Sequence, residues 1–142
     1  MGFLQGLAGN MQQMDEKGAR ATYGQWLTEG EQLQSAYRMI RDGFALTDRR
    51  IITTDRQGVT GKKVRVFSIA LDSVVDVTAE TAGSGIDDSE LTITYITTPR
   101  LRAHNSATAT YTFEFPKSFD LPALYRYFMT VAERNRTALN AS

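Results

Sequence analysis

The chain has no cysteine, only three prolines, one histidine and one tryptophan among its 142 residues. The missing cysteine removes disulfides, thiolate metal sites and cysteine nucleophiles together, a composition that suits a reducing compartment. Charge of one sign is missing as well: 16 Lys and Arg balance 16 Asp and Glu. No global positive excess therefore steers the chain toward nucleic acid or an anionic membrane, and any such binding has to be local. Long apolar runs are absent too, and nothing approaches membrane-spanning length. The start Met1-Gly2-Phe3-Leu4-Gln5-Gly6-Leu7 has neither the basic opening nor the apolar segment of a secretory signal. It also misses the myristoylation pattern, which wants Ser or Thr where Gly6 stands. These absences lead to the expectation of one cytoplasmic domain, long enough to bury a core.

What is present is a change of period along the chain. Leu4, Leu7, Met11 and Met14 recur at steps of three and four, a helical stripe weakened by Gly2, Gly6 and Gly9. The stripe calls for a partner surface, on its own domain or a second subunit rather than a membrane, because its polar face lacks dense Lys and Arg. A second helical stretch is predicted over 15–27, ahead of a turn at Glu29-Gly30-Glu31. From Gln32 the period becomes two, as in a half-buried strand. Phe44-Ala45-Leu46 and Ile51-Ile52-Thr53 flank the short polar stretch 47–50, which reads as a tight hairpin. Asp55-Arg56-Gln57-Gly58 is predicted as the next turn. Alternation over 64–69, 75–78, 91–96 and 110–115 gives further strands, with Thr81 to Gly85 as a loop, Pro99 as a stop and Pro116 closing the last strand. Helical period then returns: Leu121, Leu124, Phe128 and Val131 share a face, and Ser118 or Asp120 can cap the start. About seven antiparallel strands followed by one amphipathic helix predict a mainly β fold, a small barrel with the helix over its open end.

The stock of catalytic groups is thin. His104 sits alone between Arg102 and Asn105 in the polar stretch 99–107 and reads as a solvated histidine. No Gly-x-Ser-x-Gly elbow exists, since Ala82 holds the first glycine's place before Ser84. Arg56-Gln57-Gly58-Val59-Thr60-Gly61-Lys62-Lys63 approaches a phosphate-binding loop, but lacks its first glycine and final Ser/Thr and lies between two strands instead of a strand and a helix. Asp87, Asp88 and Glu90, with Glu80 upstream, lack the alternation and glycine of a calcium loop and read as a solvated loop. No metal, cofactor or catalytic residue is assigned. The remaining candidate is the basic cluster Lys62, Lys63 and Arg65, with Arg49, Arg50 and Arg56 on neighbouring turns. Lys63 and Arg65 share a strand face and could grip an anion together, although basic strand residues also guard open edges. Nucleic-acid binding is not expected, because Tyr37, Tyr95, Tyr111, Phe113 and Phe115 read as core and cross-strand residues.

Certain strings carry more than a period does. Leu46-Thr47-Asp48-Arg49-Arg50-Ile51-Ile52, Gln57-Gly58-Val59-Thr60-Gly61-Lys62-Lys63-Val64, Ser68-Ile69, Ser73-Val74, Glu80-Thr81-Ala82-Gly83 and Asp88-Ser89-Glu90-Leu91 follow one another in order. With these strings the chain resembles the bacterial pleckstrin-homology-like (PH-like) domain family from about Glu29 to Val131. It departs at Ala70, where a proline is common, and in a longer 99–107 loop. The resemblance implies a PH-domain-like barrel of two packed antiparallel sheets with a C-terminal capping helix over residues 29–135, leaving 1–28 as a helical extension and 136–142 as a tail. It further implies ring-shaped homo-oligomers, five-fold in some members, whose hydrophilic surface binds other proteins, and no enzyme activity. A self-assembling protein-interaction module is the leading expectation. A peripheral binder of anionic lipid or phosphate through Lys62, Lys63 and Arg65 is the alternative, and a metal-dependent enzyme using Asp87 or Asp88 is the weakest reading.

Overall fold

The computed structural model describes residues 13–39, 42–57, 62–83 and 88–141. The chain resolves into two compact units that meet in sequence between Ala70 and Leu71. The apolar stripe expected through Leu4, Leu7 and Met11 lies outside the described residues.

The first unit opens with helix α1 (Glu16–Tyr23), started by Asp15, whose carboxylate accepts the Gly18 N–H at 2.8 Å. Ala19 and Tyr23, one turn apart, are its buried residues, and a single 3₁₀ turn (Gly24–Trp26) ends the helical stretch. Gly30, at φ +79°, turns the chain into the sheet, a left-handed conformation that a side chain resists. Strands β1 (Leu33–Arg38), β2 (Gly43–Thr47), β3 (Arg50–Gln57) and β4 (Lys63–Ala70) then form an antiparallel sheet in the order β1-β2-β3-β4. One face of this sheet carries Ala36, Ala45, Ile52 and Val66, packed with Ala19, Tyr23, Leu33, Met14 and Leu27. The other carries the buried Tyr37, Phe44, Leu46, Ile51 and Ile69, with Tyr37 and Phe44 stacked at 4.8 Å. The predicted turn at 55–57 is corrected: these residues belong to β3 and pair as Asp55 with Arg65, Arg56 with Val64 and Gln57 with Lys63. Three further rungs of backbone pairing outweigh the turn preference of one Asp and move the connection past Gln57.

The second unit begins with a 3₁₀ turn (Leu71–Ser73) and continues as β5 (Val74–Glu80), β6 (Ser89–Ile96) and β7 (Thr108–Phe115), in the antiparallel order β5-β6-β7. Helix α2 (Leu121–Leu139) follows, with Asp120 as its cap and Pro122 in the first turn, where the missing N–H does no harm. The helix packs along β5 and, less extensively, β6. Its buried face is Leu121, Leu124, Phe128 and Ala132; the expected fourth member, Val131, is only half-buried. The step of four from Phe128 keeps Ala132 on the stripe and lets the helix approach β5 closely. α2 also runs through residues 136–139 of the stretch expected to be tail.

Candidate functional site

The basic cluster falls on the first half of β4, the last strand of its sheet. Lys62, Lys63, Val64 and Arg65 are all exposed. Because direction alternates along a strand, Lys63 and Arg65 lie on one face and Val64 on the other. On the basic face, Arg65 stands directly opposite Asp55 and its guanidinium covers the Phe67 ring at 4.8 Å, a cation–π contact that holds the charge near the strand. On the opposite face Val64 is 46% exposed, one of two large hydrophobic side chains so exposed among the described residues.

Arg49 and Arg50 are engaged elsewhere and do not join this cluster. Arg50 donates to Glu31 from Nε to Oε2 at 2.8 Å and from Nη2 to Oε1 at 2.9 Å. It also donates to Ser68 Oγ and the Trp26 carbonyl. Arg49 donates to Thr28 Oγ1 and the Glu29 carbonyl, both at 3.2 Å. Thr47 Oγ1 donates to Glu31 at 2.6 Å and accepts the Arg49 and Arg50 N–H groups. The Glu31 side chain is fully buried. Arg50 dominates in holding its carboxyl down at about 2; burial opposes it, and the Thr47 and Thr28 hydrogen bonds lower it further. This network fastens the segment after α1 to the β2-β3 hairpin, so it is a structural element. Sequence reasoning missed it; the available signal was Glu31, a carboxylate at the entrance to an apolar strand that requires a buried partner.

In the second unit one sheet face reads Asp76, Thr78 and Glu80 on β5, Thr94, Thr92 and Glu90 on β6, and Thr110, Thr112 and Glu114 on β7, paired rung by rung. Thr92 and Thr112 share a hydrogen bond of 2.9 Å. Glu80, Glu90 and Glu114 thus form a row of like charges directly opposite one another, an arrangement that opposes sheet stability. The other face carries the buried Val77, Leu91, Ile93 and Phe113. Along the outer side of β5 runs an apolar groove of about 360 Å³, with Val77, Thr78, Ala79 and Thr81 on one wall and Leu121, Pro122 and Tyr125 on the other. Consecutive strand residues line it, so the edge of β5 itself forms that wall. Sequence reasoning did not find the groove, which needs β5 and the first turn of α2 to be brought together.

Of the other sequence candidates, Glu80 and Glu90 are brought together in the row just described. His104 is exposed in the loop between β6 and β7, Asp87 lies outside the described residues, and Asp88 is exposed. No three His, Asp or Glu side chains converge as a metal site among the described residues. The phosphate-loop-like segment spans the connection from β3 to β4, without the helix such a loop needs.

Comparison with known proteins agrees with this architecture. The model of the bacterial PH domain family matches residues 2–132, and the chain belongs to that family. It is 40% identical over 93 residues to the uncharacterized protein YjqA of Bacillus subtilis (strain 168), covering 66% of this chain and 74% of that one. The crystal structure of a pleckstrin homology domain from Shewanella amazonensis SB2B superposes with a TM-score of 0.63 at 33% identity, over 87% of this chain and 93% of the other. A DUF1696 family protein with a pleckstrin-homology domain from Shewanella loihica PV-4 gives 0.62 at 30% identity, over 87% and 98%. The two sheets of four and three strands with a C-terminal helix are therefore a PH-domain-like fold, as the sequence led us to expect. No helix among the described residues is long and apolar enough to cross a membrane.

Proposed function

We propose that this PH-like chain is a non-catalytic, cytoplasmic interaction module, residues 29–135 forming its body, which assembles into a homo-oligomeric ring whose surface recruits other proteins. The observation that carries the reading is the exposed start of β4. Its sheet offers β3 on one side only, and Lys63, Val64 and Arg65 stand exposed on it. An edge strand offers unpaired N–H and C=O groups to another chain, and an exposed valine there adds apolar area to any such pairing. Light scattering coupled to size exclusion tests the assembly. A strict monomer at micromolar concentration refutes the ring.

A second reading, capture of anionic lipid or phosphate, is favoured by Lys63 and Arg65 sharing one strand face, with Lys62 beside them. Liposome sedimentation at low salt tests it, where electrostatic attraction is strongest. Failure to sediment with anionic vesicles refutes it.

A further inference from the structure

We infer that Trp26 and Val64 form a two-point apolar anchor that seats this chain on the surface of an anionic membrane. The inference rests on the anionic-lipid reading above and names the side chains that enter the interface. Trp26 and Val64 are 42% and 46% exposed, the two large hydrophobic side chains so exposed among the described residues, and both belong to the first unit. They also share one face of its sheet. Val64, Val66 and Ser68 alternate onto the same side of β4, and Val66 packs on the cluster that holds Ala19 and Tyr23 of α1. Arg50 donates to Ser68 Oγ and to the Trp26 carbonyl, which holds the 3₁₀ turn beside the far end of that row. From Ser68 to Val64 the strand spans about 13 Å, with the partly buried Val66 between them.

Binding at a membrane interface scales with buried apolar area plus attraction to anionic lipid, and this face supplies both. An indole settles at headgroup level, its ring against the acyl boundary and its N–H hydrated. Charge selects the lipid. Lys62, Lys63 and Arg65 flank Val64 and are exposed, whereas at the other end the exposed Arg49 and Glu29 offset one another. The net positive charge therefore sits at the Val64 end, where it draws that end onto an anionic leaflet within a Debye length. A protein partner fits less well, because two separated side chains do not make the contiguous apolar centre of a stable protein interface.

Trp26 is the only tryptophan of the chain, so its fluorescence reports on the anchor directly. The full chain is mixed at low salt with vesicles of phosphatidylglycerol and phosphatidylcholine in equal parts, with vesicles of phosphatidylcholine alone, and with inorganic phosphate. Trp26 emission should shift to the blue with the first of these only, and lipids brominated on their acyl chains should quench it. Trp26→Ala and Lys63→Glu/Arg65→Glu should each lower sedimentation with the anionic vesicles by about tenfold or more in partition coefficient. Circular dichroism of these surface variants should match that of the wild type, which separates lost binding from lost folding. Sedimentation without a blue shift, or unchanged by Trp26→Ala, overturns the anchor and leaves the electrostatic lipid reading standing. A shift with phosphate alone overturns the membrane as the partner. A shift that grows with protein concentration in the absence of vesicles assigns the face to a second copy and overturns the inference. No sedimentation with anionic vesicles overturns the anchor and the lipid reading together.

Discussion

Removing the guanidinium of Arg50 isolates the most buried charge in the first unit. In Arg50→Leu, Glu31 keeps its hydrogen bonds from Thr47 Oγ1 and from the Thr28 N–H and hydroxyl, but loses both contacts that balance its charge. Breaking a buried pair from one side costs about 3–5 kcal/mol, and the partial exposure of Arg50, 21%, places the expected loss at the lower end. Glu31→Gln separates charge from shape. The native carboxyl titrates at about 2 against an ordinary 4.5, a difference equivalent to about 3 kcal/mol. Because the folded value is depressed, that stability is complete above pH 4.5 and drains away as the pH falls toward 2. Urea denaturation of wild type and Glu31→Gln at pH 7, 4 and 2.5 measures it. The two proteins should converge in stability on acidification, the wild type losing about 3 kcal/mol more than the variant between pH 7 and 2.5, less whatever screening the Arg50 edge allows. Parallel acid profiles would refute the assignment of the native charge to Glu31.

Three further substitutions probe packing. A Cβ at Gly43 would lie 2.7 Å from Tyr23 Oη and 3.0 Å from the Tyr37 carbonyl, so Gly43→Ala should lower stability in urea by about 1–3 kcal/mol, with part of the loss recovered in the double variant carrying Tyr23→Phe. Ser35 Oγ is buried without a hydrogen-bond partner among the described residues; Ser35→Ala should therefore be neutral or raise stability by about 1 kcal/mol, and a clear loss in thermal denaturation would contradict an unsatisfied hydroxyl. Asn135→Leu removes two donors from the Leu71 and Val74 carbonyls and should cost about 1–3 kcal/mol, with faster hydrogen exchange at the start of β5 as the local signature.

The strands and the C-terminal helix were legible because their signal is local. Alternation in Leu91, Ile93 and the residues between them marks a half-buried strand wherever the chain goes, and the stripe through Leu121, Leu124 and Phe128 marks a helix face. What failed was decided by partners distant in sequence. Asp55 to Gln57 carry turn chemistry yet extend β3, since Lys63 to Arg65 are available to pair with them. Arg50 looked like a member of a basic surface, but its partner is Glu31, 19 residues earlier. The groove escaped for the same reason: its walls are 40 or more residues apart in sequence, and neither wall alone carries a recognisable pattern.

The strand edges show how the sheets are terminated. At the β1 edge, Gln13 bridges Tyr37 and the Met14 N–H bonds the Ala36 carbonyl at 2.9 Å, so the segment before α1 closes that side of the first sheet. Asn135 and Arg136 engage the start of β5 in the second. Closing an edge with the chain's own segments is how a sheet avoids pairing with its neighbours. Where such closure stops, the composition changes in opposite directions: β4 begins with Lys63 and Arg65, and β5 ends at Glu80 beside Glu90. Like charge at each end resists pairing of identical edges, β4 with β4 or β5 with β5.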